Sequence, residues 1–395
     1  MRILLIIFDG LANRPAPELD GKTPLEAAKT PNLDRLASQG INGLFHPKGP
    51  GYPLGSPLAL HLMFGYPEEE FPDRGPLLAT ARGLEIPAGA VVLAARFASA
   101  VREEDGRLRL VERFIQGREE ACETLSETIA GLEVDGLSFR YCYSGRGDGI
   151  LFMEGGASYQ VTDTDPLGLD LPVLRARSRA EAGDPALAQR TADALNHYLT
   201  WAHGRLRSQP KSGGEDAPPI NCLITKWAGP SPSYEPFAER WGMRAASLPD
   251  EEVVSGLMIE IGFRLEQIVE EDPEGDLRRR LGRARELLSE GFEFVHLHSK
   301  YPDPMSHDNE PLRVREAIEA LDRGMGYSGR RSAAIPTSSQ WSRQTTPPLL
   351  CGRITHGESS PTSTAARACP SPSAAGTYVW TPWRSSVRGR RRAAR

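Results

Sequence analysis

The chain has 395 residues, of which 39% are apolar and 25% charged, the profile of an ordinary globular protein long enough for two to three domains. Its net charge of −5 is unevenly spread: from Tyr327 onward there are eleven arginines, no lysine and one acid, Glu358, so that stretch carries +10 and the body up to Gly326 carries −15. An acidic body argues against nucleic acid as a partner and suits a protein that takes a small anion in a locally basic pocket or binds metal cations.

The first predicted element is a strand in Arg2–Gly10, RILLIIFDG. Its six apolar residues run without a polar break, as a strand buried on both faces requires. The run is too short for a membrane span and lacks the small-residue cleavage site of a targeting segment, so no membrane is expected. In an open α/β sheet, chemistry collects beyond the carboxyl ends of the strands, where Asp9 stands. A plain turn aspartate before Gly10 is the alternative.

A loop and a helix follow. Thr30 is the expected N-cap and Pro31 the first helical residue, with Leu33, Leu36 and Ala37 on one face and Gly40 as a left-handed stop. Ile41–Phe45 begins a second strand. In GSPLALHLMFGYP, Ser56 is placed to cap, Pro57 to open, and Gly65 to end a helix. A serine there lies among free backbone N–H groups at the positive end of a helix dipole, where a phosphoryl group is stabilised. Capping alone also explains it.

Between about Ala95 and Leu174 the texture becomes that of a compact α+β insertion. Two strands joined at Asp105–Gly106 precede a helix over Glu119–Ile129, and LSFRYCYS and GILFMEG read as further strands. Helical spacing then covers residues 186–206, NCLITKW reads as a short strand, and Val253–Val269 and Leu277–Leu288 read as amphipathic helices. Phe292–His298 is a strand, followed by a turn carrying Asp303 and His307. Val314, Ala317, Ile318 and Leu321 mark one face of a last helix. Patterning ends at Gly326; beyond it the Ser, Pro, Thr, Ala and Arg-rich chain has neither period and reads as disordered.

Five cysteines (Cys122, Cys142, Cys222, Cys351 and Cys369) lie far apart and form no CxxC pair, which argues against a thiolate zinc site and a disulfide framework, so the cytoplasm is the expected location. Asp9, Ser56, Asp303 and His307 each follow a strand or open a helix of one expected parallel sheet, so they can converge on one edge. Oxygen and imidazole donors suit Mn²⁺, Mg²⁺ or Zn²⁺. Two such ions can clamp both oxygens of a phosphoryl transfer and activate Ser56 as a nucleophile. A DxxxH spacing in a polar loop is by itself weak evidence, being more often a solvated pair than a metal-bound one.

The ordered set FDG, TPNLDRLASQG, GSPLALHLMFGYP, RGP at Arg74–Pro76, VTDTDP at Val161–Pro166 and PDPMSHD at Pro302–Asp308 resembles the archaeal-type, cofactor-independent phosphoglycerate mutases of the alkaline phosphatase superfamily, over essentially Met1–Gly326. The resemblance implies an alkaline-phosphatase-like α/β fold, a mostly parallel sheet flanked by helices, in residues 1–94 and 175–326, with a small α+β lid inserted at 95–174. Asp9 and Ser56 match second-metal ligands, Ser56 also matching the serine that is transiently phosphorylated. Asp303 and His307 match two ligands of the first metal. Arg74, Arg96 and Arg146 lie near positions that hold phosphate and carboxylate. The implied cofactors are two divalent ions, Mn²⁺ or Mg²⁺, with Zn²⁺ or Co²⁺ as alternatives, and the implied partner is a phosphoglycerate.

The chain departs from the family pattern at Pro57, at SGRGDG and at Ser255, which leaves open another phosphate or phosphonate ester as substrate, or a non-catalytic binding relative. A larger departure is the lack of the family's Asp-His-Ser-Thr-Pro strand end and its later histidine, which supply three metal ligands. Codons for Gln344–Leu349, read from each third base, can encode Asp-His-Ser-Thr-Pro. In that frame Gln340–Ser342 can encode Val-Val, and Arg353–His356 can encode His-His-Ser. Residues 327–395 are therefore expected to be a frame-shifted tail, and this polypeptide to bind metal weakly and to have little mutase activity.

Overall fold

The computed structural model describes residues 2–210, 217–269 and 272–326, together with the backbone of 349–354 and 378–380. Two compact units are formed. Met1–Ala59, Phe237–Asp250 and Phe263–Arg395 make the first, and Leu60–Pro236 with Glu251–Gly262 the second. In chain order the strands are β1 (Ile3–Asp9), β2 (Ile41–Gly43), β3 (Val91–Arg102), β4 (Leu108–Glu112), β5 (Gly131–Val134), β6 (Leu137–Gly145) and β7 (Asp148–Glu154). They continue with β8 (Cys222–Pro230), β9 (Ala245–Leu248), β10 (Arg264–Leu265), β11 (Phe294–Ser299), β12 (Leu349–Ile354) and β13 (Tyr378–Trp380).

The first unit is a mixed α/β structure on a sheet of order β10-β9-β11-β1-β12-β13-β2. The pairs from β10 through β12 are parallel, and β13 runs antiparallel to both neighbours. β1 is central. Leu4, Ile6 and Phe8 pack with Leu281, Leu288, Val314 and Ile318 of the helices Pro273–Ser289 and Pro311–Gly326. Leu5 and Ile7, alternating to the other face, are equally buried. Each such side chain contributes about 1.5–3 kcal/mol by burial, which is why the segment carries no polar residue before Asp9.

Several local expectations are corrected. Thr30 does precede the helix Pro31–Gln39, but its side chain caps no backbone N–H of that helix. Oδ1 of Asp322 accepts from the N–H groups of Asn32 (3.0 Å) and Leu33 (2.8 Å) instead. Gly40 is extended, with φ −115°, not left-handed. The helix expected over Val253–Val269 stops at Glu260: Gly262, at φ +81°, turns the chain into β10. The segment carrying Asp303 and His307 is not an open turn but a short helix, Pro302–His307. Beyond Tyr327, where no element is expected, β12 pairs in parallel along β1 and β13 pairs with β2. The rest of that stretch, with Cys369 and His356, lies outside the described residues.

The second unit is built on an antiparallel sheet of order β4-β3-β7-β6-β5, with β8 also pairing along β3. This unit is wider than residues 95–174, because β8 completes the sheet and helix Glu252–Glu260 packs against Arg74–Ala81 so closely that a Cβ on Gly256 would lie 1.9 Å from the Leu77 carbonyl oxygen. The helix Pro185–Arg207 covers one sheet face, stacking Tyr198 on Phe139 at 4.9 Å while the Tyr198 hydroxyl donates to the Ile129 carbonyl. β5 is an unexpected strand. Its turn, Asp135–Gly136, has φ of +50° and +78°, the two-residue hairpin geometry that Asp-Gly favours.

Candidate active site

In the first unit, β1 delivers Asp9 at its carboxyl end with a fully buried carboxylate. Oδ1 accepts the Gly10 N–H at 3.1 Å, and Oδ2 accepts the Ser56 hydroxyl at 2.5 Å. Ser56 is the first residue of the helix Ser56–Met63 and is itself buried, so its oxygen meets a charged acceptor away from water. Asp303 is buried near the start of its short helix. Four residues on, His307 Nε2 lies 3.5 Å from Asp303 Oδ2, and Lys300 Nζ lies 3.5 Å from the same oxygen.

The two pairs sit on abutting segments. Gly10 has φ +77°, and a Cβ there would lie 2.4 Å from the Asp303 Cα, so only glycine lets the end of β1 meet this helix. The Gly10 carbonyl accepts from Ser306 Oγ (2.8 Å) and Asn13 Nδ2 (2.9 Å), and Asn13 Nδ2 also donates to Ser306 Oγ (3.1 Å). Asp250 Oδ2 accepts the Lys300 N–H at 2.8 Å, fixing the entry to the helix. Sequence reasoning missed Asn13, Ser306 and His298. The last is fully buried in β11, with Nε2 3.7 Å from Asp9 Oδ2.

The donor chemistry here, carboxylate, hydroxyl and imidazole, fits a hard or borderline divalent ion. Its number does not complete a cage: among the described residues no three His, Cys, Asp or Glu side chains form a metal-holding group. Burial, and then the neighbouring His298, keeps the His296 imidazole well below its ordinary pKa; its Nδ1 is paired with Ser247 Oγ at 2.8 Å.

The second unit contains a cavity of about 170 Å³ bordered by Arg82, Arg96, Asp148, Asp165, Lys226 and Trp227. Arg96 is paired with Asp148, with Nη2 donating at 3.1 Å, and lies over the Phe114 ring. Arg74 opens the helix Arg74–Ala81 and lies over the Trp227 ring, and Lys226 Nζ lies 3.8 Å from the centre of the same ring. Burial pulls the Lys226 ammonium down to about 8; Asp165 opposes this, and Arg113, Arg96 and Arg74 add to it. Burial also works to raise the Asp165 carboxyl, but the Arg113 hydrogen bonds, the Leu167 N–H and the nearby cations outweigh it and hold it low. Arg146 is elsewhere, exposed at the β6–β7 hairpin tip with φ +52° and not among the residues bordering the cavity. Lys226, Arg113 and Asp148 were not singled out in the sequence; Asp165 was, only as part of VTDTDP.

Comparison with known proteins relates the chain to one family. A family model described as 2,3-bisphosphoglycerate-independent phosphoglycerate mutase matches residues 37–211. The enzyme of that name from Methanopyrus kandleri is 35% identical, covering 82% of this chain and 77% of its own length. A second, from Methanocaldococcus jannaschii, is 34% identical over 82% of this chain and 76% of its own. Among solved structures, the cofactor-independent phosphoglycerate mutase of Thermoplasma acidophilum superposes with TM-score 0.56 at 26% identity, covering 96% of this chain and 90% of that one. A Pyrococcus horikoshii protein gives 0.68 at 25% identity, covering 96% and 87%. The chain belongs to the 2,3-bisphosphoglycerate-independent phosphoglycerate mutase family.

Proposed function

We propose that this chain carries the machinery for interconverting 3-phosphoglycerate and 2-phosphoglycerate through a phosphorylated Ser56, on an alkaline-phosphatase-like fold with residues 95–174 as its lid. The observation that carries this reading is the 2.5 Å hydrogen bond from Ser56 to the buried Asp9 carboxylate, which aims the hydroxyl oxygen and offers its proton an acceptor. In the first transfer the Ser56 oxygen bonds to phosphorus, the bond from phosphorus to O3 breaks, and O3 takes a proton. In the second, O2 of the retained glycerate gives up its proton and bonds to phosphorus, the bond from phosphorus to the Ser56 oxygen breaks, and Ser56 takes up a proton. Between them water must be excluded, or the outcome is hydrolysis. Arg74, Arg96 and Lys226 supply cations of the type that hold phosphate and carboxylate.

Two divalent ions, Mn²⁺ or Mg²⁺, one held by Asp9 and Ser56 and the other by Asp303 and His307, would supply charge neutralisation at the phosphoryl group. Two side-chain donors apiece make a weak site. The segment beside β1, Leu349–Ile354, reads LLCGRI and brings neither carboxylate nor imidazole in its sequence, in keeping with a frame-shifted tail. Ser255, where the family commonly has lysine, donates its hydroxyl to the Glu251 carbonyl at 3.0 Å. That missing cation favours, as a second reading, a different phosphate or phosphonate ester.

The test is a coupled assay of mutase activity beside a panel of phosphomonoesters, run on this chain and on a version with the reading frame restored after codon 326. The reading expects low mutase activity in the first and high activity in the second, lost in Ser56→Ala. A restored chain that is inert on phosphoglycerate but active on another ester supports the second reading.

A further inference from the structure

We propose that His298 is an imidazole ligand for the divalent cation held by Asp9 and Ser56, giving that half of the site a third donor from the described part of the chain. The inference rests on the metal-dependent reading above and deepens it.

The strand register brings the groups together. Ile7 pairs with His298 across β1 and β11, so Asp9, two residues beyond Ile7, is the diagonal neighbour of His298 on the same sheet face. His298 has no exposed surface, and neither ring nitrogen has a hydrogen-bond partner. A buried polar atom left without a partner costs about 1–3 kcal/mol, and native proteins carry few of them. The contrast with His296 on the same face, whose Nδ1 pairs with Ser247, shows that this region of the core does provide partners for an imidazole.

Distance adds a second argument. Nε2 of His298 lies 3.7 Å from Asp9 Oδ2, beyond hydrogen-bond range. Two donors bound to one ion at about 2.0–2.2 Å, with an angle of about 90–120° between them, stand about 2.8–3.8 Å apart. The pair has the separation of two ligands around a cation. Within an apolar strand such as FVHLHS, a histidine that only filled space would be better replaced by a residue without orphaned nitrogens.

The experiment uses Mn²⁺ as the probe on the full chain, with affinity from calorimetry and ligand identity from the ¹⁴N modulation of the Mn²⁺ spin echo. Four proteins are compared: wild type, Asp9→Asn, His298→Leu, and the double variant His307→Ala, His356→Ala. Wild type is expected to show imidazole nitrogen modulation that persists in the double variant, and His298→Leu to bind at least tenfold more weakly with the modulation gone. Should His298→Leu fail to fold by circular dichroism, the double variant decides: persistent modulation supports the assignment and its loss overturns it. Wild-type affinity and modulation in His298→Leu, with binding still lost in Asp9→Asn, overturn the role of His298 while leaving the metal site standing. No Mn²⁺ binding in wild type, or binding unchanged in Asp9→Asn, overturns both.

Discussion

Oδ1 of Asp322 accepts the backbone N–H of Leu33 at 2.8 Å and that of Asn32 at 3.0 Å, so a carboxylate 289 residues along the chain from Leu33 caps the helix Pro31–Gln39. Oδ2 and the Asp322 carbonyl take the Asn32 side-chain amide as well. Asp322 is almost wholly buried, so the interaction ties the helix Pro31–Gln39 to the helix Pro311–Gly326, the last one described in this unit. Asp322→Ala should destabilise the protein by about 2–3 kcal/mol, more than an ordinary cap because the orphaned N–H groups stay buried. Thr30→Ala should cost under about 1 kcal/mol. Denaturant unfolding of the two variants measures the difference.

That cap also shows where sequence reasoning stops. Thr30–Pro31 marks a helix start correctly, but nothing local distinguishes a threonine that caps from one that only precedes a helix capped from afar. β1 was legible because burial on both faces demands an unbroken apolar run, and its end at Asp9 follows from the same demand. Asp135–Gly136 carries a hairpin signal as plain as Asp105–Gly106, and β5 could have been found from it. Gly262 could likewise have ended the helix at Glu260. His298 and Lys226 were hidden for another reason: each sits inside a strand whose apolar neighbours dominate the pattern. Only strand register turns His298 toward Asp9, and only the fold gives Lys226 its cavity.

The join between the two halves of the strand-end cluster depends on Gly10. Gly10→Ala forces a Cβ onto the backbone of Asp303 and requires a left-handed alanine, which together cost upward of about 2 kcal/mol. Ser306→Ala removes the hydroxyl that donates to the Gly10 and Pro302 carbonyls, for a loss of about 1–2 kcal/mol. Thermal unfolding should rank Gly10→Ala below Ser306→Ala and both below wild type.

Lys226 gives the cavity of the second unit a pH dependence. With its pKa drawn down to about 8 by burial, it carries charge at pH 7 and loses it as pH rises through about 8. Affinity for 3-phosphoglycerate, measured calorimetrically from pH 7 to 9, should fall across that range in wild type and stay level in Lys226→Arg. The same shift acts on stability. The folded state binds fewer protons than the unfolded chain between about 8 and the ordinary lysine value, so this group makes stability rise with pH over that window. Lys226→Met should remove that rise, as read by urea midpoints.

Arg96 and Arg146 separate a residue at the cavity from one outside it. Arg96→Ala removes a cavity cation and leaves Asp148 without its partner, and should weaken phosphoglycerate binding at least tenfold. Arg146→Ala, at an exposed hairpin tip, should change binding less than threefold. Equal losses in the two would place the arginine on the hairpin in the substrate site after all.

The most direct measurement of the central claim is acid quenching of the frame-restored chain during turnover of 3-phosphoglycerate with Mn²⁺, followed by mass analysis of the Ser56 peptide. The account predicts phosphate on Ser56, absent in Ser56→Ala and strongly reduced in Asp9→Asn. Full turnover with no phosphoserine at position 56, or a normal mutase rate from the chain as it stands, would contradict it.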